Sequence, residues 1–223
     1  MPPSAASRTR EILIVSAFAP ELAPLARWLE GDGRALSRRL ACLPVGIGLV
    51  DAAAGAAEAM ARVHPELVIF IGTAGSYGGG PAIGEVAIAR RLRLVSTAVL
   101  RKQGYLPGPM RQMTTADRAL QGELLRAGRP NARAADVATP LAITRTRGLA
   151  ARIASAASAT VENLEAFAVA RAAERGSARF AAILGIANQV GPAAHRQWVA
   201  HQAQATAAAC AVASTWLEAI SSV

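Results

Sequence analysis

Five short stretches hold residues whose types could do chemistry. They are the run from Phe18 to Glu21, the pair Gly46 and Gly48, the run Gly72-Thr73-Ala74-Gly75, the segment Glu162 to Glu165, and Ala187-Asn188. Taken alone, each has an ordinary explanation. Glu21 and Glu165 are carboxylates at helix starts, where the macrodipole favours negative charge. Asn188 suits a turn or a helix cap. Gly46 and Gly48 supply only GxG, without the rest of a dinucleotide fingerprint, and no P-loop sequence is present. No cluster of His, Cys and carboxylates has metal-ligand spacing, so neither a metal nor another cofactor is expected.

What sets these stretches apart is where they fall. Apolar, β-branched runs at 11–18, 40–45, 67–71 and 180–186 read as buried strands. Four of the stretches lie at the ends of those runs, and the fifth, Glu162 to Glu165, starts a helix. Further strands are expected at 84–89, 91–95 and 137–144. Helical spacing marks 21–29, 50–63, 116–127, 148–157, 164–175 and 193–220. Pro20 fits a first helical turn, where its missing N–H is not needed. The span 99–113, with Gly104, Pro107, Gly108 and Pro109, reads as a long loop suited to covering a substrate, and Tyr105 lies within it. Strands and helices alternate almost throughout. The pattern predicts a three-layer α/β/α sandwich on a mixed central sheet, with ligands where strands end in loops.

Bulk properties narrow the classes. The chain of 223 residues is long enough for a full core, and no repeat or linker divides it. A single domain is expected over 11–223, behind a disordered tail at 1–10. With 52% hydrophobic residues but only 4% aromatic, the core must be built of Ala, Val, Leu and Ile. The net charge of +9 raises nucleic-acid binding, but the cations are almost all scattered arginines. No basic cluster has interleaved stacking aromatics, so no nucleic-acid partner is expected. No run is long and apolar enough for a membrane span, and the N-terminal stretch lacks the apolar region of a secretory signal. Cys42 and Cys210 stand far apart, as in a reducing compartment. The expected location is the cytoplasm.

In order, these segments resemble the nucleoside phosphorylase/nucleosidase superfamily, in particular the methylthioadenosine/S-adenosylhomocysteine nucleosidases and the futalosine hydrolases. The resemblance runs from about Ile12 to Trp198. It is carried by ILIVSAFAPEL, VGIGLVDAAAGAAEAM, PELVIFIGTAGSYGGGPAIGEVAIA, VENLEAFAVARAA and IANQVGPAAHRQW. The third is the most specific match, and the last is closest to the futalosine hydrolases. The resemblance implies that Glu21 activates the attacking water. It implies that Glu165 holds the ribose 2′- and 3′-hydroxyls and that Asn188 contacts the purine at N7. Thr73, Ala74 and Gly75 would lie beside ribose and base. Phe18 and Leu164 would form apolar walls, and Ile143 and Thr144 would fall near the base. A homodimer is implied as well, with the partner closing the 5′ side. His195, Arg196 and Trp198 would sit near the base or the subunit edge, and Trp198 packing on the core is the equal alternative.

Those roles fit N-glycosidic cleavage, whose transition state gathers positive charge on the sugar and electrons on the base. One carboxylate orients and deprotonates water, and a second accepts two hydrogen bonds from the diol. The leaving base needs a proton or a strong hydrogen bond. The adenine-cleaving relatives place Asp where this chain has Asn188. An amide cannot donate a full proton, so Asn188 favours a 6-oxopurine such as that of futalosine or inosine. Phosphorylases of the superfamily have an arginine just before the glycine turn, where Phe70 stands here; water is therefore the expected nucleophile. Leu184 and Ala187 replace an Arg and a Ser of the nucleosidases. Arg145, Arg147 and Arg196 are the candidates to supply the missing cation. The alternatives are a nucleoside-binding protein without turnover and a phosphorylase with relocated phosphate ligands.

Overall fold

A computed structural model describes residues 12–221. The tail expected over 1–10 lies outside them. The chain begins with β1 (Ile12–Ser16), a 3-10 turn at Ala19–Leu22, α1 (Ala23–Glu30), β2 (Leu40–Pro44), α2 (Gly48–Val63) and β3 (Leu67–Ser76). It continues through β4 (Val86–Val95), a short α3 (Thr97–Leu100), β5 (Met113–Thr115), α4 (Arg118–Ala127) and β6 (Ala132–Pro140). It ends with α5 (Arg147–Ala157), the two-residue β7 (Val161–Glu162), α6 (Ala166–Arg175), β8 (Arg179–Gln189) and the long α7 (Ala194–Ser221).

All eight strands form one mixed sheet. β1 lies parallel between β2 and β3. β8 runs parallel to β3 and antiparallel to β4, β4 runs parallel to β6, β6 to β7, and β7 returns antiparallel to β3. These pairings close a ring at one end of the sheet. Alternation along the strands sorts their side chains onto two faces. Leu13, Val15, Val68 and Phe70 face a core shared with α2 and α6. Ile12, Ile14, Ile69 and Ile71 face a second core under α1, α4 and α7. A smaller cluster lies beneath α5. The expected three layers on a mixed sheet are therefore present. Alanine dominates the contact surfaces of α2 and α6, which lets these helices pack closely with few aromatics.

Several boundaries differ from the expectation, each for a physical reason. The run Gly72–Gly75 is not a turn, because it extends β3 to Ser76 by pairing with β8 and β7. The two short strands expected at 84–89 and 91–95 are one strand, bent where its register against β6 shifts between Ala89 and Leu92. There Asp136 accepts from the backbone N–H of Arg91 and from the guanidiniums of Arg90 and Arg91. β6 begins earlier than expected and ends at Pro140, so Ile143 and Thr144 lie beyond the strand. The long loop is shorter than 99–113, since α3 and β5 take up its two ends.

Candidate active site

Glu21, Asn188, Glu165, Leu164, Phe18, Thr73, Ala74, Gly75, Ile143 and Thr144, the ten residues given catalytic or substrate-binding roles by the resemblance, all line one cavity of about 400 Å³. It opens where β1, β3 and β8 meet the starts of α2, α6 and α7.

Glu21 reaches this cavity because the chain turns sharply after β1. Ser16 Oγ donates to the Phe18 carbonyl at 2.8 Å, and Glu21 N donates to the same carbonyl at 3.1 Å. Pro20 sits in the first turn of the resulting 3-10 segment. Glu21 is thus not the first residue of α1, as the spacing suggests, but belongs to the tighter turn before it. The turn sends its side chain inward, leaving it 4% exposed. Oε1 accepts from Thr73 N at 2.9 Å and from Thr73 Oγ1 at 3.1 Å. Oε2 is buried without a hydrogen-bond partner in the protein. Burial pushes the Glu21 carboxyl up to about 7, and the charge of Glu165 adds to the rise. The Thr73 hydrogen bonds, with a smaller pull from the Ala17 backbone, act in the opposite direction.

Glu165 stands at the start of α6. Its Oε1 accepts from Gly48 N at 2.8 Å, at the N-terminus of α2. Gly48 has φ +83°, a left-handed conformation that glycine adopts without a Cβ penalty. The GxG pair thus serves to aim a backbone N–H at a carboxylate, not to cradle a dinucleotide. Burial raises the carboxyl of Glu165, while the Gly48 and Asn163 hydrogen bonds restrain it. Asn163 was not anticipated. Its Oδ1 accepts from the N–H groups of Glu165 (3.0 Å) and Ala166 (2.7 Å), and its Nδ2 donates to the Thr73 carbonyl at 3.0 Å. One amide therefore holds the start of α6, and with it Glu165, against β3.

Asn188 lies within β8, not past its end. The register between β3 and β8 slips so that Ala74 faces Ile186 while Gly75 faces Asn188. The slip leaves Ala187 as the extra residue and re-aims Asn188. A Cβ at Gly75 would lie 2.8 Å from Asn188 Nδ2, so the glycine makes room for the amide. Nδ2 donates to the Gln189 carbonyl at 3.1 Å.

Glu162 is a further carboxylate at the cavity that received no role from the sequence. The Tyr77 hydroxyl donates to its Oε2 at 2.6 Å, and Thr144 N donates to its Oε1 at 3.0 Å. The two bonds anchor the segment carrying Ile143 and Thr144. Burial and the adjacent carboxylate push the Tyr77 hydroxyl up, so it stays a donor. Trp198 reaches the cavity from the first turns of α7, stacked on His195 with centroids 6.3 Å apart. Of the two placements left open for Trp198, beside the base or on the core, the cavity lining includes it.

Charge around the cavity is one-sided. Among the described residues, those lining it include Glu21, Glu162 and Glu165 but no lysine or arginine. Leu184 is fully buried in the core against α2 and α6. Arg145, Arg147 and Arg196, the candidates to replace a cation there, are exposed and do not line the cavity. Tyr105 is 84% exposed and does not cover it. No described helix is long and apolar enough to cross a membrane.

A ring-closed mixed sheet between two helical layers, with paired carboxylates where its strands end, defines the class. The chain belongs to the phosphorylase superfamily, whose family model matches residues 11–220. Among solved structures it is similar to the 5′-methylthioadenosine/S-adenosylhomocysteine nucleosidase of Neisseria meningitidis in complex with methylthio-immucillin-A. That likeness has a TM-score of 0.82 at 19% identity over 94% of this chain and 99% of that one. Futalosine hydrolase of Helicobacter pylori gives a TM-score of 0.83 at 12% identity, covering 95% and 98% of the two chains. The Helicobacter pylori methylthioadenosine/S-adenosylhomocysteine nucleosidase with butyl-thio-DADMe-Immucillin-A gives 0.84 at 12% identity, covering 96% and 100%. No curated protein matches the sequence.

Proposed function

We propose that this protein hydrolyses the N-glycosidic bond of a purine nucleoside. The observation that carries this reading is the unpartnered, buried Oε2 of Glu21, in one cavity with Glu165 and Asn188. A carboxyl held near neutrality is poised to take a proton from water. Glu165, with Oε1 fixed by Gly48, keeps acceptor capacity for the vicinal diol of a ribose. Negative charge at both positions also suits a sugar that turns cationic in the transition state.

Water is the nucleophile in this reading. A phosphate dianion draws its binding energy from fixed cations, and no lysine or arginine is among the residues lining the cavity. Asn188 points to a 6-oxopurine leaving group, futalosine-like or inosine-like, ahead of methylthioadenosine or adenosylhomocysteine. Phe18, Leu164, Ile143 and Thr144 supply the walls for sugar and base. Ile47 and Ile143, exposed by 63% and 60% at the open side, support a homodimer in which a second copy closes the 5′ end. A monomeric sedimentation coefficient at micromolar concentration would refute the dimer.

The deciding experiment is release of free base from inosine, futalosine, methylthioadenosine and adenosylhomocysteine, with and without phosphate. Release without phosphate is expected, faster for the 6-oxopurines. Strict phosphate dependence would overturn hydrolysis. Thermal stabilisation by a nucleoside with no release would mark a binding protein instead.

A further inference from the structure

Thr73 carries a hydroxyl with two neighbours of opposite demand. Its Oγ1 lies 3.1 Å from Trp198 Nε1 and 3.1 Å from Glu21 Oε1. An indole N–H only donates, and an ionised carboxylate only accepts. The Thr73 hydroxyl must therefore accept from Trp198 and send its single proton to Glu21. Without the indole, the hydroxyl still faces the carboxylate but loses the donor that disfavours its other orientations. Thr73 N donates to the same Oε1 at 2.9 Å, so both Thr73 donors converge on one carboxylate oxygen and Oε2 is left bare.

The surroundings give this chain of donors its weight. Glu165, at the start of α6, is the charged group acting on Glu21, and it opposes ionisation. Cys210 on α7 packs behind, its thiol donating to the Glu21 carbonyl at 3.4 Å. Burial and the charge of Glu21 push that thiol up to about 11, so it stays neutral. Glu162 and His195 line the same cavity from β7 and α7. No lysine or arginine among the described residues lines it, so the carboxylate is held by neutral donors.

We propose that Trp198 is a positioning residue for Glu21: its indole N–H locks the Thr73 hydroxyl as a donor to Oε1, which holds the carboxylate and reserves Oε2 for the proton of the attacking water. This rests on the reading of Glu21 as the group that deprotonates water. The indole does not touch that water. It acts through a hydroxyl whose direction it sets, and the aromatic ring alone cannot supply this.

Trp198→Phe keeps a ring and removes the N–H. The expected result is a fall in kcat on the order of tenfold with KM little changed. The acid limb of the kcat/KM profile moves to higher pH by several tenths of a unit, because a weaker hydrogen bond stabilises the carboxylate less. Thr73→Val produces the same shift, Thr73→Ser restores the limb, and Trp198→Phe adds nothing in the Thr73→Val background. An unmoved limb in Trp198→Phe with only a lower melting temperature would overturn the proposal, as would additive effects of the two substitutions. A readout without substrate separates this proposal from the hydrolase reading. The Trp198 indole N–H resonance of the unliganded protein titrates near pH 7, and the titration vanishes in Glu21→Gln. If no nucleoside is cleaved, the hydrolase reading fails while this titration still tests the hydrogen-bonded chain. An indole resonance indifferent to pH and to Glu21→Gln would overturn it.

Discussion

Glu21 and Asp136 each expose only 4% of their surface, yet the protein treats them in opposite ways. Asp136 sits at the bend of β4, gripped by the guanidiniums of Arg90 and Arg91 and by the Arg91 backbone. Burial alone would raise its carboxyl. The hydrogen bonds and charges of the two arginines outweigh that effect and hold it well below the usual range. Glu21 has neutral donors on one oxygen and none on the other, and burial pushes it up to about 7. The difference separates a carboxylate that serves the fold from one that is kept ready for a proton. Burial costs each of them; at Asp136, beneath two arginines that reach water, the cations offset that cost, whereas Glu21 lies deeper and has no cation beside it.

The comparison breaks most sharply at Glu21. Glu21→Gln is expected to lower base release by about three orders of magnitude, the range of a lost general base. In the unmodified protein, kcat/KM is expected to rise with pH through about 7, because only the ionised carboxylate would accept the proton. Retained activity in the variant, or an acid limb below pH 5, would refute the assignment.

Stability should move the other way. The folded value of about 7 lies above the ordinary 4.5, so the native state holds this proton more tightly than the unfolded chain between those values. The resulting stabilisation is full below pH 4.5 and is lost as pH rises through 7. It corresponds to about 3 kcal/mol. Glutamine does not titrate, so Glu21→Gln should gain on the unmodified protein as pH rises from 5 to 8 in thermal melts. A constant gap across that range would contradict the stored cost.

Asp136→Asn tests the paired member. It leaves two guanidiniums facing a neutral amide and should cost about 2 kcal/mol in urea titration at pH 7, less than a fully buried pair because both arginines reach water. The sign of its pH dependence is reversed. The folded value is depressed, so its stabilisation is present above the ordinary carboxylate range and is lost as pH falls below about 4. Base release per folded molecule should not change, and a large loss there would tie Asp136 to the cavity.

The smallest effect sharpens the role of the amide. Asn188→Asp adds a proton donor beside Glu21 and Glu165. It is expected to raise adenine release relative to hypoxanthine release by about tenfold, since an acid suits N7 of an adenine better than an amide does. An unchanged ratio would remove Asn188 as the determinant of the base.

Much of this was legible in the residues. Apolar runs separated by helical spacing located most of the strands and helices, because burial on two faces of a parallel sheet demands continuous apolar sequence. Glu21 and Asn188 follow apolar runs and Glu165 opens a helix, but it is the resemblance that singled out all three, and all three line the cavity. Local pattern misread the places where pairing overrides it. Gly72 to Gly75 looks like a turn, but β8 and β7 supply hydrogen-bond partners that extend the strand through Ser76. Asn163 and Glu162 lie within the flagged segment Glu162 to Glu165 but received no role there, since each works through backbone groups distant in sequence: Thr73 for one and Thr144 for the other.

The division follows from the range of the forces. Periodicity and residue type act over a few positions, so the layered fold and the residue types available for chemistry could be read from the chain alone. Proton affinity depends on solvent exclusion and on donors brought from other strands and helices. Folding sets Glu21 with a bare oxygen in a cavity that no lysine or arginine among the described residues lines, while it places two arginines on Asp136.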